Sequence, residues 1–371
     1  MIANNENKPR VVVAMSGGVD SSLAAALMAQ KGYDVIGITI KTYDYESVGG
    51  NDAHDSSCCS IDGINMARDV ASKFHFPHYV FDFSERFKKE VIDGFVAEYL
   101  AGRTPNPCVN CNQKIKWEYL IEKATALGAN YICTGHYAKV RYDESSKRYV
   151  LSRGVDSTKD QSYALCALSQ ESLSKTIFPL ADMTKSEVRK LAAEYGLASA
   201  KKPESYEICF VPDNDYTRFL RDAVPGLENW IEGGEIMMNG RPVGKHRGYA
   251  FYTIGQRKGL GLSNEKPLYV KGIDATRNTV EVDIDASLFS KTLAADHVNM
   301  VKYSSLDEGK TYTGKIRYKD SGAECMAKTT RDGQMEVEFV NPRRAITPGQ
   351  TIVLYENDDV VAGGIITRSL N

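Results

Sequence analysis

Residues 11–22 read VVVAMSGGVDSS, and the apolar stretch LAAALM at 23–28 follows directly. The run Val11–Val13 predicts a buried strand, Gly17-Gly18 predicts a tight turn, and residues 21–30 predict a helix. Glycines allow the backbone to approach a ligand, and the first N–H groups of a helix favour an anion placed before them. The stretch therefore predicts a phosphate site on a strand-turn-helix unit. An ordinary βα turn, in which the glycines serve only backbone geometry, is the alternative.

Hydroxyl and carboxyl groups in this turn indicate how it would hold a nucleotide. Ser16, Ser21 and Ser22 add hydroxyl donors. The Walker pattern would place a Lys before the final Ser or Thr, whereas here Asp20 stands in that neighbourhood, and a carboxylate beside phosphates suggests a bridging metal ion, Mg²⁺. The element Ser-Gly-Gly-Val-Asp-Ser resembles the pyrophosphatase loop of enzymes that cleave ATP between its α- and β-phosphates and pass AMP to a carbonyl oxygen.

The composition indicates a folded protein with more than one domain. With 371 residues, 42% of them hydrophobic, two or three domains are expected. No apolar run approaches the roughly 18 to 20 residues that span a bilayer, and Met1–Arg10 is polar, without a hydrophobic targeting core. We therefore expect a cytoplasmic protein with no membrane partner, whose eight cysteines serve thiol or metal chemistry rather than disulfides.

A net charge of −2 means that any contact with nucleic acid depends on local basic clusters. Residues 236–264 contain one such cluster and no acidic residue; its basic members are Arg241, Lys245, Arg247, Arg257 and Lys258. Tyr249, Phe251 and Tyr252 are interleaved with them, so charges for phosphates and rings for bases are expected to coincide. A solvated loop with basic residues is the alternative.

The order of strands and helices predicts three domains. Residues 1–212 alternate strand and helix as in a parallel α/β sheet, and a second glycine turn follows the strand at Tyr131–His136. We expect this turn opposite the first one. Residues 213–285 predict a small mixed domain, and residues 286–371, with short alternating strands, predict an antiparallel β-barrel or sandwich. The polar segment Tyr43–Ser60 is expected to form a long loop.

Cys108 and Cys111 form a CxxC pair in a segment where Pro105 and Pro107 argue against a helix. This spacing suits two ligands of one metal ion or a dithiol couple. A structural zinc site normally needs four Cys or His ligands, and no second pair follows, so one distant partner is the better hypothesis.

Cys209 is the candidate for that partner. It lies beyond Lys201-Lys202, whose charges would favour a thiolate that attacks or carries sulfur, although a buried inert thiol is the alternative. Cys58-Cys59 precede a predicted helix and are reserve candidates. The remaining cysteines occupy apolar patterns and are predicted to be core residues: Cys133, Cys166 and Cys325.

Taken together, the motifs resemble those of the tRNA-specific 2-thiouridylase family, and they run in the same order over nearly the whole chain. They are Ser16–Ser22, Cys58–Ser60, Asn106–Asn112, Thr134–Tyr137, Lys159–Tyr163, Ile208–Phe210, Gly255–Gly259 and Thr347–Gln350. The resemblance implies an adenine-nucleotide-hydrolase-like α/β domain followed by a central domain and a β-barrel. It also implies an enzyme that replaces the C2 oxygen of the wobble uridine of certain tRNAs, position 34, with sulfur.

The resemblance carries functional residues onto this sequence. The ATP site falls on Ala14, Met15, Ser16, Gly17, Gly18, Val19, Asp20, Ser21, Ile40 and Gly135. The tRNA contacts fall on Asn106, Pro107, Cys108, His136, Lys159, Asp160, Gln161, Arg317, Tyr318 and Gln350. Cys111 and Cys209 match the paired catalytic thiols. In the scheme that this implies, ATP adenylates the uridine O2, a persulfide on Cys209 supplies sulfur, and Cys111 releases the product by forming a disulfide. The expected sulfur source is a sulfur donor protein or sulfide.

One position departs from the family pattern. Many members carry Asp, a general acid or base, where this chain has Cys108, so that role has no obvious owner. Cys108, Cys111 and Cys209 also resemble the three-cysteine [4Fe–4S] sites of related tRNA sulfur transferases, and we hypothesise such a cluster with catalytic or metal-binding roles for all three thiols.

Two other readings compete with thiolation. An amide-forming ligase could use the same ATP loop, but it would need an ammonia source or glutaminase domain, and none is visible. A tRNA-binding protein that merely retains the nucleotide fold would lack ATP-to-AMP turnover, and the intact loop and thiols argue against it.

Overall fold

The computed structural model describes residues 8–43, 60–202 and 208–370. The chain divides into two compact units. The first comprises residues 1–91, 108–214 and 358–360, and the second comprises residues 92–107, 215–357 and 361–371. Within the described ranges, no helix has both the length and the apolar character needed to cross a bilayer. The predictions for Cys58-Cys59 and for most of Tyr43–Ser60 lie outside these ranges.

The strands of the first unit are β1 (Arg10–Ala14), β2 (Asp34–Lys41), β3 (His78–Asp82), β4 (Tyr131–Cys133), β5 (Ala138–Asp143), β6 (Arg148–Arg153) and β7 (Thr176–Ile177). Five of them form a parallel sheet in the order β3-β2-β1-β4-β7, which confirms the predicted α/β fold. The chain adds β2 and β3 on one side of β1 and then crosses to β4 on its other side. The carboxyl ends of β1 and β4 therefore form a switch point, where such sheets bind ligands.

Eight helices occur between residues 19 and 194 of the described chain: α1 (Val19–Gln30), α2 (Ile61–Lys73), α3 (Ser84–Phe87), α4 (Asp93–Leu100), α5 (Pro107–Asn110), α6 (Leu120–Ala126), α7 (Gln170–Ser174) and α8 (Lys185–Glu194). Turns of π-helix at Lys88–Ile92 and Cys111–Tyr119 join some of them. α1 packs against β1, β2, α2 and α8. Its run Leu23–Ala26 is fully buried, because the three alanines let the helix approach its neighbours closely.

Two local expectations differ from the structure. The prolines were expected to exclude a helix near Cys108, yet α5 begins at Pro107, because a helix tolerates proline in its first turn, where the missing N–H would have no partner. The β5–β6 hairpin was not anticipated. Its residues pair from Ala138↔Arg153 to Asp143↔Arg148, and β6 also pairs with Asp359 through Ser152.

The central part of the second unit contains a four-stranded sheet and two short helices. The strands are β8 (Glu235–Met238), β9 (Arg241–Lys245), β10 (Leu268–Asp274) and β11 (Thr279–Ile284), in the order β10-β11-β8-β9, and the helices are α9 (Tyr216–Ala223) and α10 (Glu228–Ile231). α4 packs on α9: the rings of Phe95 and Phe219 lie 5.9 Å apart, and those of Tyr99 and Tyr216 stack at 4.7 Å.

The expected nucleic-acid surface at 236–264 is only half present. All five basic residues of the cluster are exposed. Tyr249, Phe251 and Tyr252, however, are at most 4% exposed and belong to the core. The prediction that these rings stack on bases was therefore wrong: a short helical turn at 249–251 directs them inward, and burying their apolar area stabilises the domain.

Six strands of the second unit close into an antiparallel barrel: β12 (Phe289–Met300), β13 (Thr311–Lys315), β14 (Ala323–Thr329), β15 (Met335–Arg344), β16 (Thr351–Glu356) and β17 (Asp359–Leu370). Their order is β12-β15-β14-β13-β16-β17, and pairing of β12 with β17 closes the ring. The interior is filled by buried side chains such as Leu293, Tyr312, Val337, Phe339 and Leu354. The barrel alternative of the sequence analysis is confirmed.

Candidate functional site

The glycine turn lies at the switch point of the parallel sheet. Ala14 ends β1, and Gly18 precedes α1 with extended backbone and without a capping bond from any described side chain. Ser21 closes the turn: its hydroxyl accepts from Ser16 N–H at 3.1 Å and donates to the Gly18 carbonyl at 3.1 Å. The first N–H groups of α1 therefore have no side-chain competitor, which is the requirement for an anion site.

Glycine is required at position 17 for a steric reason as well as for the approach of a ligand. Its φ is +70°, and a Cβ there would lie 2.1 Å from the carbonyl oxygen of Gly63 in α2. Ser60 caps α2 by accepting from Gly63 N–H at 3.0 Å. The loop thus rests backbone against backbone on the start of α2, and Gly63 is a site-forming residue that the sequence analysis missed. A glycine three residues after a capping Ser was its only sequence signal.

Gly135 brings the second glycine turn against the first, as expected. A Cβ on Gly135 would lie 2.6 Å from the carbonyl carbon of Asp20 and 2.7 Å from the amide nitrogen of Ser21. Only glycine permits this approach of the segment after β4 to the first turn of α1. Among the other predicted ATP contacts, Met15 and Val19 are buried, and Ile40 is partly exposed near the end of β2.

Asp20 is held by two residues from elsewhere in the first unit. Lys185 Nζ lies 2.7 Å from both carboxylate oxygens, and the Tyr137 hydroxyl donates to Oδ1 at 2.7 Å. The Lys185 side chain is only 12% exposed. A cation therefore stands beside the glycine turn after all, although it comes from the first position of α8 rather than from the turn itself. The Thr184–Glu187 capping box announced this helix, but nothing local linked Lys185 to Asp20.

The three candidate thiols differ in exposure from the other described cysteines. Cys108 is exposed, and Cys111 and Cys209 are partly exposed. The predicted core cysteines are confirmed as buried: Cys133, Cys166 and Cys325. Burial raises the pKa of the Cys166 and Cys325 thiols to about 12, so they remain protonated and unreactive near neutral pH.

One helical segment of the first unit contacts two separate stretches of the chain, one next to Cys111 and one next to Cys209. The Asn110 side chain donates to the Glu90 carbonyl at 2.8 Å, next to Cys111. Phe87, one turn away, packs edge-on against Phe210 at 5.8 Å between ring centroids, next to Cys209. Tyr43 donates a hydrogen bond to the Cys209 carbonyl and packs against Phe87 at 6.0 Å. The segment carrying Cys209 and the CxxC segment therefore share one support, although they are far apart in sequence.

Three family models match the chain: the tRNA methyl transferase HUP domain at 9–213, the tRNA methyl transferase PRC-barrel domain at 226–283 and the aminomethyltransferase beta-barrel domain at 290–366. The tRNA-specific 2-thiouridylase MnmA of Salinibacter ruber is 53% identical over 361 residues, which cover 97% of this chain and 94% of that protein. The chain belongs to the tRNA-specific 2-thiouridylase family. The protein of the same name from Cytophaga hutchinsonii is 48% identical over 98% of both chains.

Solved structures add nothing to this family assignment. A 4-thiouridine synthetase in complex with RNA and bound ATP shares 17% identity, covers 58% of this chain and 50% of that chain, and has a TM-score of 0.34.

Two of the predicted tRNA contacts in the first unit, His136 and Gln161, lie next to Tyr137. His136 bonds to Thr134 through Nδ1 at 2.8 Å and packs 5.4 Å from Trp117, and burial holds its pKa well below the usual value. Gln161 Oε1 accepts from Tyr137 N–H at 2.9 Å. Lys159 is partly exposed and Asp160 is buried. His136 is therefore neutral near pH 7.

The remaining predicted tRNA contacts, apart from Cys108, lie in the second unit. Arg317 and Tyr318 are exposed on a turn after β13, which the buried carboxylate of Asp320 holds by accepting from Ile316 N–H at 3.0 Å. Asn106 is partly exposed and Pro107 is buried. Gln350 donates to the backbone carbonyls of Thr104 and Pro105, in addition to any role towards RNA.

A metal cluster needs several ligand side chains close together. Across the described ranges, no group of three or more His, Cys, Asp or Glu side chains is close enough to hold a metal ion. The residues therefore do not fit a [4Fe–4S] cluster on Cys108, Cys111 and Cys209 in this arrangement. Mg²⁺ sets a weaker requirement, because it typically takes one or two carboxylates together with phosphates and water. Asp20, 31% exposed beside the glycine turn, fits that requirement.

Proposed function

We propose that this protein synthesises 2-thiouridine at the wobble position of tRNA, consuming ATP and releasing AMP and pyrophosphate. The observation that carries the proposal is that one compact unit contains both the glycine turn at the β1/β4 switch point and the two cysteine segments supported by Phe87 and Glu90. Family membership over nearly the full chain supports it.

The first step uses the glycine turn. The α1 N–H groups and the Ser16 hydroxyl would hold the phosphates, Lys185 would neutralise charge, and Asp20 would hold Mg²⁺, which screens phosphate charge when bound. The uridine O2 attacks the α-phosphorus, the bond to the bridging oxygen of the β-phosphate breaks, and pyrophosphate leaves. Uridine N3 gives up its proton in this step. A poor leaving oxygen thereby becomes part of AMP.

The second step uses the thiols. The terminal sulfur of a Cys209 persulfide attacks C2, the C2–O2 bond breaks, and AMP leaves. The Cys111 thiolate then attacks Sγ of Cys209, the sulfur–sulfur bond to the base breaks, and N3 regains a proton as 2-thiouridine is released. The enzyme is left with a Cys111–Cys209 disulfide. Sulfide that attacks Sγ of Cys209 breaks this disulfide and restores the Cys209 persulfide and the Cys111 thiolate, whereas a donor that transfers persulfide sulfur needs a dithiol reductant that supplies two electrons.

The assay combines the protein in its Cys111–Cys209 disulfide form, ATP, Mg²⁺, sulfide and unmodified tRNA, and separates thiolated tRNA on a mercury-containing gel. We expect thiolation with stoichiometric AMP, and its loss in Cys111→Ser and Cys209→Ser; Cys325→Ala, which changes a buried barrel cysteine, is the control. Retained activity in either serine variant would contradict the assignment. Product formation with ammonium and no thiolation would identify an amide-forming ligase instead.

Cys108→Ser separates the two sulfur routes. The persulfide route leaves this variant active, whereas a three-cysteine cluster would require Cys108. Iron and acid-labile sulfide analysis after anaerobic purification gives the second readout, and a stoichiometric cluster would overturn the persulfide route. The predicted domain limits 1–212, 213–285 and 286–371 and the cytoplasmic location remain predictions of the sequence.

A further inference from the structure

The turn Thr347–Gln350 is rigidly attached to the barrel of the second unit. Gly349 N–H donates to the Ile366 carbonyl at 2.8 Å, and Ile366 N–H donates back to the Gln350 carbonyl at 2.8 Å. Gln350 N–H also donates to Thr347 O at 3.2 Å. Two backbone hydrogen bonds to β17 and one hydrogen bond within the turn therefore hold this segment in place without the help of side chains.

This turn forms hydrogen bonds with the loop between α4 and α5. Thr104 N–H donates to the Pro348 carbonyl at 2.9 Å. Gln350 Nε2 donates to the carbonyl of Thr104 at 2.9 Å and to that of Pro105 at 3.1 Å. Gly349 has φ +90°, and a Cβ there would lie 2.8 Å from Thr104 O. Backbone therefore meets backbone, and both hydrogens of Nε2 are used inside the protein.

The loop that this turn holds leads directly into residues that are predicted to contact the substrate. Its earlier end is fixed by Arg103 N–H, which donates to the Glu98 carbonyl at 2.9 Å. Asn106 and Pro107 follow Pro105 directly, and the loop forms no helix or strand between Leu100 and Pro107. A segment without its own regular hydrogen bonds takes its conformation from such outside contacts.

We propose that Gly349 and Gln350 are positioning residues that fix Thr104–Pro105, and thereby Asn106–Pro107, for the target uridine. Gln350 acts on the loop through its two side-chain hydrogen bonds. This deepens the proposed function and rests on it. The barrel accordingly does more than bind tRNA, because it completes the substrate loop by direct backbone contact.

The test begins with the free protein, without tRNA. Gln350→Met keeps the side-chain length and removes the donors, and Gln334→Met is the control for a glutamine elsewhere in the barrel. Hydrogen exchange of a fragment covering residues 101–108 is followed by mass spectrometry. We expect exchange at Thr104 to accelerate at least tenfold in Gln350→Met and to remain unchanged in the control, with equal melting temperatures. Unchanged exchange at Thr104 would overturn the proposal.

Kinetics separate positioning from RNA contact. In single-turnover thiolation, we expect Gln350→Met to lower the rate at saturating tRNA about tenfold and to change the tRNA dissociation constant less than twofold. A weakened dissociation constant with an unchanged saturated rate would show a direct RNA contact and refute the proposal, as would an unchanged value of both. If the wild-type protein fails to thiolate tRNA at all, the proposed function fails. The hydrogen-exchange result still shows whether Gln350 holds the loop in place.

A glycine pair provides a second variant. Gly349→Ala adds both backbone strain and a collision with Thr104, whereas Gly333→Ala, at φ +81° with nothing within 4 Å, adds strain alone. We expect only Gly349→Ala to release the loop in hydrogen exchange. If Gly349→Ala does not fold, Gln350→Met decides the question; equal effects of the two alanines would count against the proposal.

Discussion

Gly135→Ala tests whether the two glycine turns form one nucleotide site. The new Cβ would lie 2.6 Å from the backbone of Asp20, where ordinary contacts begin at 3.4 Å. The shortfall of about 0.8 Å falls on backbone atoms, so the first turn of α1 or the segment after β4 must move by roughly that amount. Overpacking of this kind costs about 1–3 kcal/mol, and a misplacement of about 1 Å at a reacting group can cost roughly 10²-fold in rate.

The matched control is Gly309→Ala, whose Cβ would meet only the Asp307 side chain at 3.5 Å. ATP affinity by equilibrium dialysis, AMP release in the presence of tRNA, and thermal melting are compared for both variants. We expect Gly135→Ala to lower AMP release at least tenfold and to lower the melting temperature, while the control stays at the wild-type level. If Gly135→Ala binds and cleaves ATP like wild type, the segment after β4 does not shape the nucleotide site, and the reasoning from close approach is refuted.

Three further predictions concern charge. Lys185→Met removes the cation beside Asp20 and should reduce AMP formation about tenfold or more, since hydrogen bonds to charged groups contribute about 1.5–3 kcal/mol. The control Lys139→Met breaks an exposed ion pair with Asp182 and should leave AMP formation unchanged. Burial lowers the pKa of His246, as it does for two other histidines, so these imidazoles stay neutral in the native protein while the unfolded chain binds protons. The free energy of unfolding should therefore fall as pH drops below 6.5, and it should fall less steeply in His246→Gln. The same dependence on pH in wild type and in His246→Gln would contradict this. Asp320→Asn removes the buried carboxylate that pairs with the partly exposed Arg343 and should cost about 1.5–3 kcal/mol in chemical unfolding; a loss below 1 kcal/mol would show that the pair is not needed.

Several features were predictable because they are encoded by neighbouring residues. The strand-turn-helix unit at 10–30, the second strand with its glycine turn and the barrel strands each follow from a local pattern of apolar residues, glycines and turns. The burial of three cysteines was also readable, because their neighbours are apolar. The inward rings at 249–252 were not, since a basic, aromatic stretch is compatible with either face of a domain and only packing selects one.

The sequence by itself determined the family, the parallel sheet and the glycine turn that would hold phosphate, since short-range backbone preferences and contiguous motifs specify them. Tertiary structure alone decided that Lys185 pairs with Asp20, that Gly63 meets Gly17, and that Gln350 grips Thr104. These partners are separated by 165, 46 and 246 positions, and their meeting depends on how the chain crosses the sheet and closes the barrel. No local pattern records such a meeting, because motifs and hydrophobic periodicity describe only residues that are close together in the sequence.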